Sequence, residues 1–130
     1  MEWIDAPDIK KSIKIILQNL DYQHINPDDL FCMRSSGSSS RAIARIWSLP
    51  RVWREVLKLR PQYIIEVVSE RFDRLSEDQK QRTLIHELMH IPKNFSGSLV
   101  SHRGRYHRID GRSVDKLFRI FLANKDYLKK

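Results

Sequence analysis

The sequence contains one cysteine, no long apolar run and no excess of negative charge, and each absence excludes a class of protein. A single cysteine, Cys32, rules out a disulfide within the chain and suits a reducing compartment. No apolar run approaches the ~20 residues that a membrane-spanning helix needs. The first residues are acidic and lack the charged-then-apolar order of a signal peptide. We therefore expect a cytoplasmic protein that has no membrane partner.

Positive charge is in excess, because 24 lysines and arginines stand against 16 aspartates and glutamates and give a net charge of +8. Such a balance can attract nucleic acid or another acidic partner. The arginines are spread along the chain, in one group at Arg41, Arg45, Arg51 and Arg54 and another at Arg103, Arg105, Arg108 and Arg112. A solvated basic surface is the simpler interpretation, and nucleic-acid binding through it is the alternative.

The apolar pattern predicts an α+β fold, and a chain of 130 residues predicts one domain over residues 1–130. Apolar residues at helical spacing predict an amphipathic helix over 8–20. Residues 30–33 and 42–47 are predicted to be strands that form a hairpin-like pair across a serine-rich loop. Cys32, inside the first of these strands, is expected to be a small buried core residue.

The second half of the chain alternates strand and helix. Residues 51–59 predict a short helix with Val52, Val56 and Leu59 on one face, closed by a proline. Residues 63–70, rich in β-branched side chains, predict the strongest strand. A loop is expected from 94 to 110, followed by a last amphipathic helix that runs to the C-terminus.

Both ends of the helix predicted over residues 77–90 carry a signal. Ser76 and Gln79 have the order of a capping box, in which each side chain satisfies a free backbone N–H at the helix start. Pro92 lacks an N–H and disfavours the α conformation of the residue before it, so the helix should stop just after His90.

This helix contains the sequence HELMH, with His86, Glu87 and His90 in an otherwise uncharged run. Residues four apart on a helix project from the same face, so the two imidazoles can bind one zinc ion. Glu87 lies ~100° further round the helix, outside the usual ligand set but within reach of a water at the ion. This is the HExxH pattern of zinc peptidases. The alternative, two hydrogen-bonded histidines on a buried helix, is costly unless every polar group finds a partner.

A catalytic zinc site usually has three protein ligands, and the third must come from elsewhere in the chain. His102 and His107 both lie shortly after the break at Pro92, and spacing alone does not distinguish them. Asp110 and Asp115 suit the role less well. His24 is remote in sequence and is expected in a surface loop.

The segment IIEVVSERFDRLSEDQKQRTLIHELMHIPKNFSG, within residues 63–102, resembles metallopeptidases of archaea, bacteria and phages whose motif runs HELxHIP. This resemblance extends over nearly the whole chain. The motif helix and the loop after it are also distantly similar to SprT-like zinc proteases. The resemblance implies a zincin-like minimal fold, with a small mixed or antiparallel sheet packed on the HExxH helix and flanking helices. It also implies that the strand at 63–70 lies beside the cleft, where a peptide could add as a further strand.

The SprT-like pattern favours His102 over His107 as the third zinc ligand, because Gly104 and Tyr106 follow it much as a glycine and an aromatic residue do in that family. Here the glycine is displaced by one position. Tyr106 or His107 is a candidate donor to the oxyanion of the transition state.

The expected function is hydrolysis of peptide bonds in a protein or peptide substrate, with Zn²⁺ as cofactor and Glu87 as general base. The alternative is a non-proteolytic zinc-binding protein that associates with nucleic acid through its basic surface. A third interpretation is a structural or partner protein whose histidines are merely buried.

Overall fold

The structure is a computed structural model that describes residues 1–102 and 108–128. Its strands are β1 (Glu2–Asp5), β2 (Leu30–Ser36), β3 (Ala44–Ser48) and β4 (Tyr63–Val68). Its helices are α1 (Pro7–Leu20), α2 (Arg51–Leu57), α3 (Ser69–Phe72), α4 (Glu77–Met89) and α5 (Gly111–Leu128), with a 3₁₀ turn at Pro27–Asp29. Among helices in the described ranges, none is both long and apolar enough to cross a bilayer.

The four strands form one mixed sheet in the order β1-β2-β4-β3. β2 and β4 run parallel, while β1 pairs antiparallel with β2 and β3 pairs antiparallel with β4. Two parallel strands need a long crossover, and the chain between β2 and β4 supplies one that contains both β3 and α2. The predicted α+β class is confirmed.

Two predictions about the sheet were wrong. β3 pairs with β4 and not with β2, so the expected hairpin does not form. β4 lies in the interior of the sheet with both edges paired, so it offers no free edge to a peptide. β4 is the most apolar strand, and at its central position every residue except Ile64 is buried, whereas the more polar β3 is left at the edge. Strand β1 was not predicted.

One face of the sheet packs against α1 and α4, and α5 packs against these two helices to complete the core. Cys32 in β2 is 3% exposed, as the sequence predicted. The helical spacing of α1 is also confirmed, because Ile9, Ile13 and Ile16 are all buried. The core further includes Leu30, Tyr63, Ile65, Val67, Leu84, Ile85, Leu88, Phe118 and Phe121.

Helix α4 has the boundaries that its capping residues predicted. The Ser76 hydroxyl accepts a hydrogen bond from the Gln79 backbone N–H at 3.2 Å, and the side-chain Oε1 of Gln79 accepts one from the Ser76 backbone N–H at 3.3 Å. The last helical residue is Met89, and His90 is the C-cap. The helix therefore ends immediately ahead of the Ile91-Pro92 pair, where proline forces it to stop.

Helix α2 is shorter than predicted, ending at Leu57, and it buries none of its residues. Val52 and Val56, which share the predicted apolar face, are 67% and 71% exposed. The opposite side faces the protein, because the Arg54 guanidinium lies against Gly97. The amphipathic pattern predicted the helix correctly, but this helix turns its polar side towards the protein.

Candidate metal centre

Helix α4 contains the HELMH sequence, and its apolar face is buried in the core. Leu84, Ile85 and Leu88 are each at most 1% exposed and attach the helix to the core. Their burial sets the rotation of the helix, so His86 and Glu87 project from the side that lines a surface cleft. His90 follows at the C-cap, one turn after His86.

The chain after α4 folds back to the helix, and Tyr63 of β4 holds it in place. The buried Tyr63 hydroxyl donates to the Ser98 carbonyl at 2.9 Å and accepts from the Gly97 N–H at 2.8 Å. The ring of Phe95 packs edge-on against Tyr63, with centroids 5.0 Å apart. Gly97 has φ +95°, a conformation that strains other residues, and an added Cβ would lie 2.9 Å from Arg54. These contacts lead the chain towards His102.

His86, His90 and His102 converge at one point. Each offers a ring nitrogen, and these three atoms all lie within 4.8 Å of one another. The Nε2 atoms of His86 and His102 are 3.0 Å apart, close enough to share a proton. Tetrahedral ligands at ~2.0–2.1 Å from an ion are separated by ~3.3 Å, so a small shift of these rings would admit a metal. The three histidines could thus hold a metal ion.

The orientation of His90 is set by a reciprocal backbone contact. Its Nδ1 lies 2.6 Å from the Val100 carbonyl oxygen, and the Val100 N–H donates to the His90 carbonyl at 2.7 Å. A carbonyl only accepts, so Nδ1 must carry the proton and Nε2 is the nitrogen with a free lone pair. Such a hydrogen bond to the far ring nitrogen is the usual way in which a ligating histidine is held.

The environment favours the neutral form of two of the imidazoles, His86 and His90, and the neutral form is the one that binds metals. Burial lowers the pKa of His86, and the neighbouring His90 and His102 lower it further. Burial also lowers the pKa of His90, and His102 adds to this, although the hydrogen bond with Val100 acts in the opposite direction. His86 and His90 should therefore resist protonation at neutral pH, and a protonated imidazole could not bind a metal ion.

Glu87 is 7% exposed, and burial raises the pKa of its carboxyl to about 7. Within residues 1–102 and 108–128 no side chain donates a hydrogen bond to it. The carboxyl lines the same cleft as His86. A carboxylate with these properties can exchange a proton with a group in the cleft near neutral pH.

The cleft consists of two depressions, of about 450 and 490 Å³, that share Ala44, His86 and Glu87 as lining residues. The smaller continues past His90, His102 and Leu99 to residues 45–47 of β3. The larger continues towards Arg41, Arg82 and Asp110. His86 and Glu87 therefore lie where the two depressions meet, and together these depressions form a groove beside the edge strand β3.

The remaining candidate residues divide into two groups. Tyr106 and His107 lie outside the described residues, so their predicted roles stay predictions. The others lie apart from the cluster: His24 packs against Tyr22, Asp110 caps α5 by accepting from the Ser113 N–H, and Asp115 forms ion pairs with arginines.

Sequence reasoning missed two residues that shape the site. Val100 orients His90 through backbone atoms, which no side-chain pattern could reveal. Glu66 of β4 is fully buried beneath the edge strand, where its carboxylate accepts hydrogen bonds from Ser35, Arg45 and Trp47. A lone charged residue inside the run YIIEVV was the signal for it.

Several arginines form ion pairs with acidic side chains. Arg45 pairs with Glu66, Arg51 with Glu55 and Arg82 with Asp115. Nucleic-acid binding stays a prediction that these contacts do not support.

Comparison with known proteins supports the metallopeptidase interpretation at the level of the family. No curated protein and no solved structure gives a significant match to the chain. A family model described as "Putative phage metallopeptidase" matches residues 1–118, a span that contains α4 and all three clustered histidines. Because this match covers most of the 130 residues, the chain belongs to that family of phage metallopeptidases.

Proposed function

We propose that the chain is a zinc-dependent metallopeptidase with a zincin-like fold, in which His86, His90 and His102 hold the ion. The observation that carries this proposal is the convergence of three imidazoles beside a buried carboxyl that has no side-chain partner in the described ranges. A purely structural site needs the histidines but not the carboxyl. Glu87 therefore favours catalysis over the non-proteolytic alternative.

The donor set suits zinc. Three neutral imidazoles are a common catalytic set for this ion, which leaves room for water or substrate. Zinc bound there would lower the pKa of water and polarise the scissile carbonyl. His102 is the exposed member of the set, and it lies on the side of the cluster that faces the groove. His107 stays the alternative third ligand.

Glu87 is the general base in this proposal. Its carboxylate takes a proton from the attacking water and later gives it to the departing amine nitrogen, which leaves as a neutral amine. A pKa of about 7 in the metal-free chain suits both transfers, because neither the acid nor the base form is strongly favoured at neutral pH. Among the ion pairs of the described residues none involves Glu87, so no such pair holds it in one protonation state.

The substrate is proposed to be a protein or peptide chain that lies along β3. In the described part of the chain β3 has one strand neighbour, β4, so its other edge has free backbone N–H and C=O groups. Residues 44–47 of that strand line the groove next to His86 and Glu87. An extended peptide paired with this edge would pass the proposed catalytic residues.

The test combines metal content with turnover. Protein purified without chelators should contain about one zinc per chain by elemental analysis. Glu87→Gln should keep that zinc and lose at least roughly 100-fold in cleavage of a complex peptide mixture followed by mass spectrometry. His90→Ala should lose both the zinc and the activity.

Glu55→Gln is the matched control, because Glu55 lies on the exposed helix α2 and its side chain is 68% accessible. It should keep both zinc and activity. A Glu87→Gln variant that cleaves at the wild-type rate would remove the assigned base. A chain that binds zinc but cleaves no peptide would favour the non-proteolytic alternative.

A further inference from the structure

A row of apolar side chains crosses the sheet on the face opposite the core. Phe31 of β2 pairs with Ile64 of β4, and Ile64 pairs with Trp47 of β3, so the three lie side by side. They are 46%, 38% and 46% exposed respectively. The row ends at Trp47, on the edge strand that lines the groove.

A peptide added to the free edge of β3 would extend this row by one position. Side chains directly opposite each other on neighbouring strands lie ~4.5–5.5 Å apart on the same face of a sheet. The peptide residue opposite Trp47 would therefore contact the exposed part of the indole ring. An apolar side chain should bind most favourably at this position, because it removes both its own apolar surface and that of Trp47 from water.

Trp47 is held in a fixed orientation for such a contact. Its Nε1–H donates to Glu66 Oε1 at 2.9 Å, and Glu66 is fully buried. Arg45, the next residue on the same face, donates to both oxygens of Glu66, at 3.1 and 2.9 Å. An indole restrained in this way loses little conformational freedom when a ligand binds.

The same network makes this position unsuited to an acidic side chain. The guanidinium of Arg45 lies beside Trp47, with its central carbon 5.4 Å from the centroid of the indole ring. That charge already forms a bidentate pair with Glu66. An incoming carboxylate would have to compete with a buried one, so charge should contribute little to selection.

We propose that Trp47 forms a substrate subsite that selects a large apolar side chain, leucine, isoleucine, phenylalanine or tryptophan, in a peptide paired with β3. This subsite deepens the proposed peptidase function and rests on it. Glu66 acts through Trp47 by fixing the indole, and Arg45 keeps the Glu66 carboxylate charged.

Binding without turnover tests the subsite. A random peptide library is displayed and selected on zinc-loaded Glu87→Gln chain, and the selected sequences are aligned. One position should be enriched in large apolar residues. The variant Trp47→Ala, in the same Glu87→Gln background, should lose enrichment at that position alone, and Trp47→Phe should retain it.

Phe31→Ala is the matched control, because Phe31 belongs to the same row and is equally exposed but lies two strands from the edge. It should leave the enrichment unchanged. The subsite would be overturned if Trp47→Ala gave the same apolar enrichment as the Glu87→Gln chain alone. It would also be overturned if the Glu87→Gln chain selected no apolar residue at any position.

Kinetics with the wild-type enzyme separate this inference from the proposed function. A selected peptide, compared with its serine variant at the enriched position, should have a KM about tenfold lower and a similar kcat. Cleavage with no such difference would reject the subsite and leave the peptidase intact. Selection that depends on Trp47, with no cleavage of any selected peptide, would support the subsite and reject the peptidase.

Discussion

Two buried glutamates, Glu66 on β4 and Glu87 on α4, differ in almost everything except their burial. Glu66 is fully buried, and its carboxylate accepts four hydrogen bonds from three side chains. Glu87 is 7% exposed and has no side-chain donor in the part of the chain that the structure describes. One carboxylate is satisfied and the other is left reactive.

The pKa values of the two carboxyls move in opposite directions for this reason. Burial pushes the pKa of Glu66 upward, but the hydrogen bonds from Arg45, Ser35 and Trp47 outweigh it and the net pKa is lowered. Burial is the sole cause that acts on Glu87, and its pKa rises to about 7. Hydrogen-bond partners, rather than depth, separate a structural carboxylate from a candidate catalytic one.

The largest expected difference between Glu66 and Glu87 is in how much each contributes to folding stability. Glu66→Ala should lower the free energy of unfolding by about 3 kcal/mol, because Arg45 and the Trp47 N–H lose their buried acceptor. This loss is at the low end for a broken buried ion pair, because the Arg45 side chain is 32% exposed and can bind water instead. Urea unfolding measures the effect. Glu55→Ala, at an exposed position, should stay within about 0.5 kcal/mol of wild type.

A substitution at Glu87 is expected to change the free energy of unfolding in the opposite direction from one at Glu66. In metal-free protein, Glu87→Leu should raise the free energy of unfolding by about 1 kcal/mol, because it replaces a buried carboxyl that accepts no side-chain hydrogen bond within the described residues. Glu66→Leu, as the matched substitution, should lower it. If both leucine variants were destabilised to the same extent, the distinction between the two carboxylates would be wrong.

The smallest expected effect is on the pH dependence of stability, with a slope below ~1.4 kcal/mol per pH unit for a single group. The folded-state pKa of Glu66 lies below its ordinary value of 4.5, so its stabilisation is present above that pH and is lost on acidification. Glu87 has the reverse behaviour. Its folded-state pKa is raised, so the metal-free chain loses stability as the pH rises from 4.5 to about 7.

Urea unfolding of metal-free wild type, Glu66→Gln and Glu87→Gln between pH 3 and 8 tests both signs. Glu66→Gln should flatten the acid limb, and Glu87→Gln should flatten the decline towards neutral pH. Slopes that change in the same direction in the two variants would contradict the assigned partners.

The parts of the fold that sequence could predict are those governed by local chemistry. The capping box at Ser76 and the proline at 92 predicted both ends of α4, because backbone N–H groups at a helix start need acceptors and proline cannot continue a helix. The spacing of His86 and His90 predicted that the two rings would converge. These features depend on residues a few positions apart.

The features that sequence could not predict depend on pairing between distant segments. β3 was assigned to β2 because they are neighbours in sequence, yet it pairs with β4, which comes later in the chain. The apolar face of α2 points outward, since a helical pattern does not specify which side of a helix meets the protein. The partners of Glu66 come from two other strands.

Local sequence was sufficient for the α4 helix and for two of the three clustered histidines, because the geometry of a helix relates residues one turn apart without outside help. The third histidine, the edge strand beside it and the contrast between Glu66 and Glu87 arose from the packed fold. Hydrogen bonding and burial at those positions depend on residues that are 10 to 31 positions apart in the chain.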